Sequence, residues 1–143
     1  MKQKVALIDD SEMFRTQMAR LLDSEGFAVV QYDGAEAFLA DSASRSADLI
    51  FLDVDLPGIS GFEFIGILRE RGFLVDTPLI LISGTTDEGG FGVLRRYVDD
   101  DRVLAIEYYS KDRFSFDMLF LRMHNLFRMR SLYRALRELK TVT

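Results

Sequence analysis

Short apolar runs alternate along this chain with segments whose apolar positions recur at helical spacing. Val5–Ile8 is followed by Phe14, Met18, Leu21 and Leu22 at i, i+4, i+7 and i+8, and Phe27–Tyr32 by a short helical segment from about Ala35 to Ala40. Leu49–Leu52 precedes a helix near Gly61–Arg71, and Leu79–Ile82 a glycine-loosened helix near Phe91–Val98. Val103–Tyr109 precedes a long final helix from about Phe114. The strand-sized runs are continuous rather than alternating, as in strands covered on both faces, and parallel neighbours need crossover connections. Five strands interleaved with five helices therefore predict an α/β fold. The expected form is a flavodoxin-like (βα)5 doubly wound parallel sheet, strand order 2-1-3-4-5, with an extended C-terminal helix.

The 143 residues, 48% of them hydrophobic, suit one domain with a single core. The chain has no cysteine, which excludes a disulfide scaffold and thiolate metal sites, and the lone His124, read as a helix-face residue, makes zinc a poor candidate. The apolar stretch Val5–Ile8 gives way to Asp9 and Asp10, too short for a signal peptide, and no apolar run approaches the roughly 18 residues of a membrane span. A cytoplasmic protein is expected.

Charge is unevenly distributed. The net charge is −5, yet residues 113 to 143 hold seven Lys and Arg against Asp117 and Glu138, so that segment carries +5 and the rest −10. An acidic body with a basic tail is not the signature of a nucleic-acid-binding core. In the final helix Phe116, Leu119, Phe120 and Met123 are expected to pack on the sheet. Beyond them Met129, Leu132, Leu136 and Leu139 fall at coiled-coil spacing among Arg128, Arg130, Arg134 and Arg137. The expected division is a body over 1–125 and a basic helical extension over 126–143. That extension is read as a dimerising or signal-transmitting helix, in preference to a nucleic-acid or membrane contact, and leads towards an output domain outside this chain.

Candidate chemistry lies at the carboxyl ends of the strands, where open α/β sheets bind ligands. Asp9 and Asp10 close the first strand, Asp53 the third, Ser83 the fourth, and Ser110 and Lys111 the fifth. The first and third strands are neighbours about 4.8 Å apart, so the three aspartates share one pocket, where like charges raise one another's pKa. A hard divalent cation resolves that conflict, and an all-oxygen ligand set selects magnesium or calcium over zinc. Ser83 and Lys111 then bring a hydroxyl and an ammonium to whatever group Asp53 carries. This equipment suits phosphoryl transfer, which is mostly positioning and charge neutralisation.

Asp9-Asp10, Asp53 with Leu56-Pro57 and Gly61, Ser83-Gly84, Tyr108 and Lys111 together resemble the receiver domain of two-component response regulators, over residues 4 to about 125. The resemblance implies that Asp53 accepts a phosphoryl group from a histidine kinase or phosphotransfer protein. It implies Mg2+ held by Asp10, Asp53 and the backbone carbonyl of Asp55, with Asp9 assisting through water. It implies too that Ser83 moves to bond the phosphoryl group, that Lys111 pairs with it, and that Tyr108 turns inward as a switch; by its residue type alone Tyr108 is as well read as an ordinary strand aromatic. The protein would thus be a signalling domain and not a turnover enzyme. Two features depart from the family: Asp112 follows Lys111 where a proline is usual, and the stretch from Ser83 to Lys111, with Gly89, Gly90 and Gly92, is long. Those glycines lack the spacing of a phosphate loop and are read as flexibility.

Two alternatives stand beside this reading. "DVDLP", residues 53 to 57, resembles the nucleophile and acid pair of haloacid-dehalogenase-type phosphatases, but those enzymes place that motif on their opening strand. A receiver-like binding module that never carries phosphate is the other.

Overall fold

In a computed structural model of the chain, describing residues 2–84, 92–113 and 115–142, five parallel strands form one sheet in the order β2-β1-β3-β4-β5. The strands are β1 (Lys4–Ile8), β2 (Ala28–Tyr32), β3 (Leu49–Asp53), β4 (Leu79–Ser83) and β5 (Ile106–Ser110). The helices are α1 (Glu12–Ser24), α2 (Ala35–Ala40), α3 (Gly61–Glu70) and α4 (Phe116–Val142). The strand order expected from the alternation of apolar runs is the one observed.

Period-two alternation divides the core between the two faces. Val5 and Leu7 of β1, with Phe51, Ile80 and Ile82, face Met18 and Leu22 of α1 and Leu119, Met123, Leu126 and Phe127 of α4. Ala6 and Ile8, with Leu52, Leu79 and Leu81, face Phe38 of α2 and Phe64, Ile65 and Leu68 of α3. Phe38 meets Tyr32 and Phe64 edge to face, at centroid separations of 5.3 and 5.7 Å. Each such side chain, fully buried, contributes about 1.5–3 kcal/mol. The continuous apolar runs of β3 and β4 thus reflect burial on both sides, whereas β5, with one strand neighbour, is half-buried throughout.

β5 begins later than the apolar run Val103–Tyr109 suggests. The Leu104 N–H donates to the Leu74 carbonyl at 2.7 Å, and Val103 closes a turn onto Asp100 at 3.1 Å, so the first two residues of the run do not join the ladder. Of the expected fourth helix, residues 92–94 are helical and Arg95–Tyr97 tighten into a 3-10 turn, while Phe91, Gly89 and Gly90 lie outside the described residues. The turn after it is held by Asp100, which pairs with Arg69 of α3.

α4 starts at Phe116, the expected start at Phe114 lying outside the described residues, and its 27 residues span about 40 Å. It stays on the body beyond residue 125. Leu126 and Phe127 are buried, Arg130 donates from Nε to the Asp76 carbonyl at 2.9 Å and pairs with Asp48 at 2.8 Å, and Arg134 pairs with Asp76 at 3.0 Å. Met129, Leu132, Leu136 and Leu139 are exposed.

The loop from β3 to α3 is shaped by two glycines. Gly58 takes φ +75°, a left-handed turn that side chains disfavour, and Gly61 packs against the β3 exit so closely that a Cβ would lie 2.3 Å from the Val54 Cα. Because that neighbour is backbone, it cannot swing aside. Gly61→Ala is expected to lower unfolding stability by about 3 kcal/mol, the upper range for overpacking, in urea denaturation, whereas Gly66→Ala, with nothing within 4 Å, gains slightly from helix propensity.

Candidate functional site

β1 and β3 run side by side with Ile8 opposite Leu52, so the next residue of each, Asp9 and Asp53, emerges at the same edge of the sheet. Asp9 is completely buried and Asp53 is 2% exposed, while Asp10 is exposed. Carboxylate oxygens of Asp9, Asp10 and Asp53 all lie within 4.8 Å of one another.

Lys111 follows β5, two strands from Asp53, and its stem crosses β4 to reach the acids. Its Nζ stands 3.3 Å from Asp9 Oδ2 and 3.3 Å from Asp53 Oδ2, and 4.3 Å from the centroid of the Phe14 ring. The Lys111 N–H donates to the Ser83 carbonyl at 2.8 Å, which extends the β4–β5 pairing by one residue and fixes where the stem starts. No cis peptide occurs among the described residues, and Lys111 reaches both acids with Asp112 after it.

Backbone donors hold the two buried carboxylates. The Ser11 N–H donates to Asp9 Oδ1 at 2.8 Å, and the Asp55 N–H to Asp53 Oδ1 at 2.9 Å. Ser11 also caps α1, its hydroxyl accepting from the Phe14 N–H at 3.3 Å. Arg15, one turn further on, donates to the Asp9 carbonyl at 2.7 Å.

Burial pushes the Asp53 carboxyl above the usual range. The Asp55 N–H and Lys111 pull it down, and the neighbouring Asp9 adds to the rise. Burial alone draws the Lys111 ammonium down, but the charges of Asp53 and Asp9 outweigh it and hold Lys111 above its ordinary value. The two shifts describe one unbalanced site: the ammonium gains two partners, while each carboxylate has half of one.

The donor set fits a hard divalent cation. Three carboxylates against one ammonium leave two formal negative charges uncompensated, and the buried Asp9 Oδ2 faces Lys111 without a well-formed hydrogen bond from any described residue.

Ser83, completely buried, ends β4 beside Asp53, with Ile82 opposite Asp53 in the register. Its hydroxyl donates to Asp55 Oδ2 at 3.2 Å, and the Gly84 N–H donates to the same oxygen at 3.1 Å. The contacts of the Asp55 side chain with Ser83 and Gly84 are absent from the receiver resemblance, which assigns only its backbone carbonyl. Nor do residue types reveal Phe14 and Arg15 as parts of the site; their one signal is that α1 starts directly after Asp9-Asp10. Tyr108 lies on β5 opposite Leu81, half-buried. It lines a cavity of about 510 Å3 with Leu94, Tyr97, Val103 and Ile106, away from the carboxylates.

The profile of the family described as "Response regulator receiver domain" matches residues 5–93. The transcriptional regulatory protein FixJ of Azorhizobium caulinodans is 43% identical over 110 residues, covering 71% of this chain and 51% of FixJ. The chain spans about half the length of the curated relatives it matches. Among solved structures, the response regulator TrrA of Thermotoga maritima, in complex with Mg2+-BeF, is 27% identical with a TM-score of 0.65, covering 87% of this chain and 98% of TrrA. The chemotaxis protein CheY4 of Vibrio cholerae, 21% identical with a TM-score of 0.73 over 88% of this chain and 99% of its own, shares the fold.

A carboxyl that binds its proton more tightly when folded makes the metal-free protein lose stability as pH rises above about 3.8, the unfolded value, through the raised folded value. Asp53→Asn removes that cost. In thermal unfolding without divalent cations, the variant is expected to melt above wild type at pH 7, with the gap closing as pH falls into the carboxylate range.

Proposed function

The chain belongs to the response regulator receiver domain family, a signalling family, and from that membership we propose that Asp53 is the residue that accepts a phosphoryl group. The observation that carries the reading is a buried carboxylate, Asp53, held at once by a lysine ammonium and a backbone N–H beside two further aspartates. An Asp53 carboxylate oxygen forms a bond to phosphorus while the bond from phosphorus to the donor breaks, and the electron pair leaves with the donor. A histidine kinase or a phosphotransfer protein, donating from a histidine nitrogen, is the partner that fits this chemistry.

Mg2+ would be held by Asp9, Asp10 and Asp53, with the carbonyl of Asp55 as a further oxygen. When bound, it supplies positive charge against the carboxylates and the phosphoryl oxygens. Lys111 balances charge on the transferring group, since its ammonium already stands between the two buried acids. Ser83 donates its hydroxyl to a phosphoryl oxygen after leaving Asp55. Tyr108, bordering a cavity on the same strand that leads to Lys111, repacks as the site changes charge. The phosphatase alternative finds no footing: the acidic pair directly follows β1, ahead of Asp53 on β3, opposite to the order of those enzymes.

A cytoplasmic setting suits a chain without cysteine, and among the described residues no helix is long and apolar enough to cross a membrane. The receiver body of 1–125 carries on into the buried Leu126 and Phe127, and the remainder of the 126–143 extension passes the signal on. Met129, Leu132 and Leu136 line a shallow apolar groove with Leu104, a face suited to a second copy of the helix or to an output domain outside this chain. Nucleic acid is not a partner for this domain.

Incubation with acetyl phosphate and Mg2+ is expected to add the mass of one phosphoryl group to the wild-type protein and none to Asp53→Asn, read by intact mass spectrometry. Labelling that persists in the variant rejects Asp53 as acceptor. Replacing Leu132 and Leu136 by Glu is expected to shift the protein from dimer to monomer in light scattering, and identical masses for the two proteins rule out this face as a dimer contact.

A further inference from the structure

Asp55 and Asp53 are separated by one residue at the β3 exit, and the Asp55 N–H is bonded to Asp53 Oδ1 at 2.9 Å, so Asp55 leans over the acceptor. From there its own carboxylate reaches across to β4, where a single oxygen, Oδ2, accepts from the Ser83 hydroxyl at 3.2 Å and the Gly84 N–H at 3.1 Å. Two donors converging on one anionic oxygen form a charge-assisted anion site. A Cβ on Gly84 would sit 3.8 Å from that oxygen, an ordinary contact, so the room beside Gly84 is filled by the Asp55 carboxylate. Asp55 itself is exposed, so its carboxylate is not enclosed by protein and has space to swing away.

We infer that the Asp55 carboxylate is an internal occupant of the phosphoryl-oxygen position, a competitor that must leave Ser83 and Gly84 before a phosphoryl group on Asp53 bonds to them. The inference rests on Asp53 being the acceptor. It assigns to this chain's Asp55 side chain a restraining role distinct from a metal-binding one, which concerns only its carbonyl.

Two effects act in the same direction. The carboxylate occupies the donors, and its negative charge opposes a phosphoryl group approaching the next carboxylate. They separate by substitution. Asp55→Asn keeps an oxygen acceptor for both donors but removes the charge, and Asp55→Ala removes both. Neither changes the backbone N–H that holds Asp53 Oδ1.

The test is the initial rate of labelling by acetyl phosphate in Mg2+, followed by intact mass, in wild type, Asp55→Asn and Asp55→Ala. A second readout, free of phosphate and metal, is solvent exchange of the Gly84 amide proton by NMR. Asp55→Ala is expected to label about tenfold faster than wild type, which corresponds to about 1.4 kcal/mol of released restraint, with Asp55→Asn in between. The Gly84 amide is expected to exchange faster in Asp55→Ala and to remain close to wild type in Asp55→Asn. Wild-type labelling that proceeds as fast as, or faster than, that of Asp55→Ala overturns the inference alone. Unchanged Gly84 exchange in Asp55→Ala does so as well. Absence of labelling in all three proteins rejects Asp53 as acceptor and this inference with it.

Discussion

Asp9 and Asp53, both buried at the ends of central strands, share one ammonium at 3.3 Å from each. Charges removed from water are tolerated only when paired and hydrogen-bonded, and here one lysine serves two carboxylates while backbone N–H groups hold the opposite oxygens. The site is therefore short of positive charge by construction. That deficit gives it an appetite for a divalent cation, while burial first and the neighbouring Asp9 second keep the Asp53 carboxyl above its usual range and make its environment responsive to what binds beside it. Much of the surrounding geometry keeps the arrangement intact: Phe14 lies under the lysine, Arg15 holds the Asp9 carbonyl, and the Lys111 N–H continues the ladder from β4.

The opposite end of the sheet carries the complementary arrangement. Asp48 and Asp76 precede β3 and β4, at the strand starts, and receive Arg130 and Arg134 of α4. Asp48 also accepts the Lys4 N–H at 2.8 Å, so it joins the start of β1 to the final helix. The basic tail is thus partly internal: Arg130 and Arg134 neutralise acids of the body and seat the helix, and Arg122 pairs with Glu107 of β5 at 3.7 Å. Arg128 and Arg137 flank the exposed apolar stripe. The helix is anchored to the body through Arg134 and continues as an unbroken helix to Val142.

The acidic end and the helix are connected by the sheet itself. β5 presents Tyr108 to one side and leads into Lys111, and the loop before it is held by Leu74 and Asp100. β5 therefore joins the lysine that pairs with Asp53 to a strand with a single strand neighbour and half-buried side chains, which, like the other edge strand β2, has less packing to resist movement than β1, β3 and β4.

How much was legible in the chain depended on the range of the interactions. Continuous apolar runs disclosed β1, β3 and β4, because a strand covered on both faces has no polar positions to hide among. Helical spacing disclosed α1, α3 and the long α4, and the polar residues after each strand disclosed Asp9, Asp10, Asp53, Ser83 and Lys111, because a parallel sheet brings all carboxyl ends to one edge. The start of β5 was misjudged because Val103 and Leu104 are apolar enough for a strand, but their N–H groups bond to Leu74 and Asp100. From the sequence, the receiver resemblance gave Asp55 a role through its backbone carbonyl only, and the arginines of α4 read as flanking a dimerising or signal-transmitting stripe. Residue order alone determined which groups would gather at the end of the sheet, since topology follows from periodicity. Only the tertiary structure decided which oxygen meets which donor, that Asp55 spans to Ser83 and Gly84, and that Arg130 and Arg134 fold back onto Asp48 and Asp76. Those pairings join residues 28 to 82 positions apart, and their geometry is set by how the strands and helices pack.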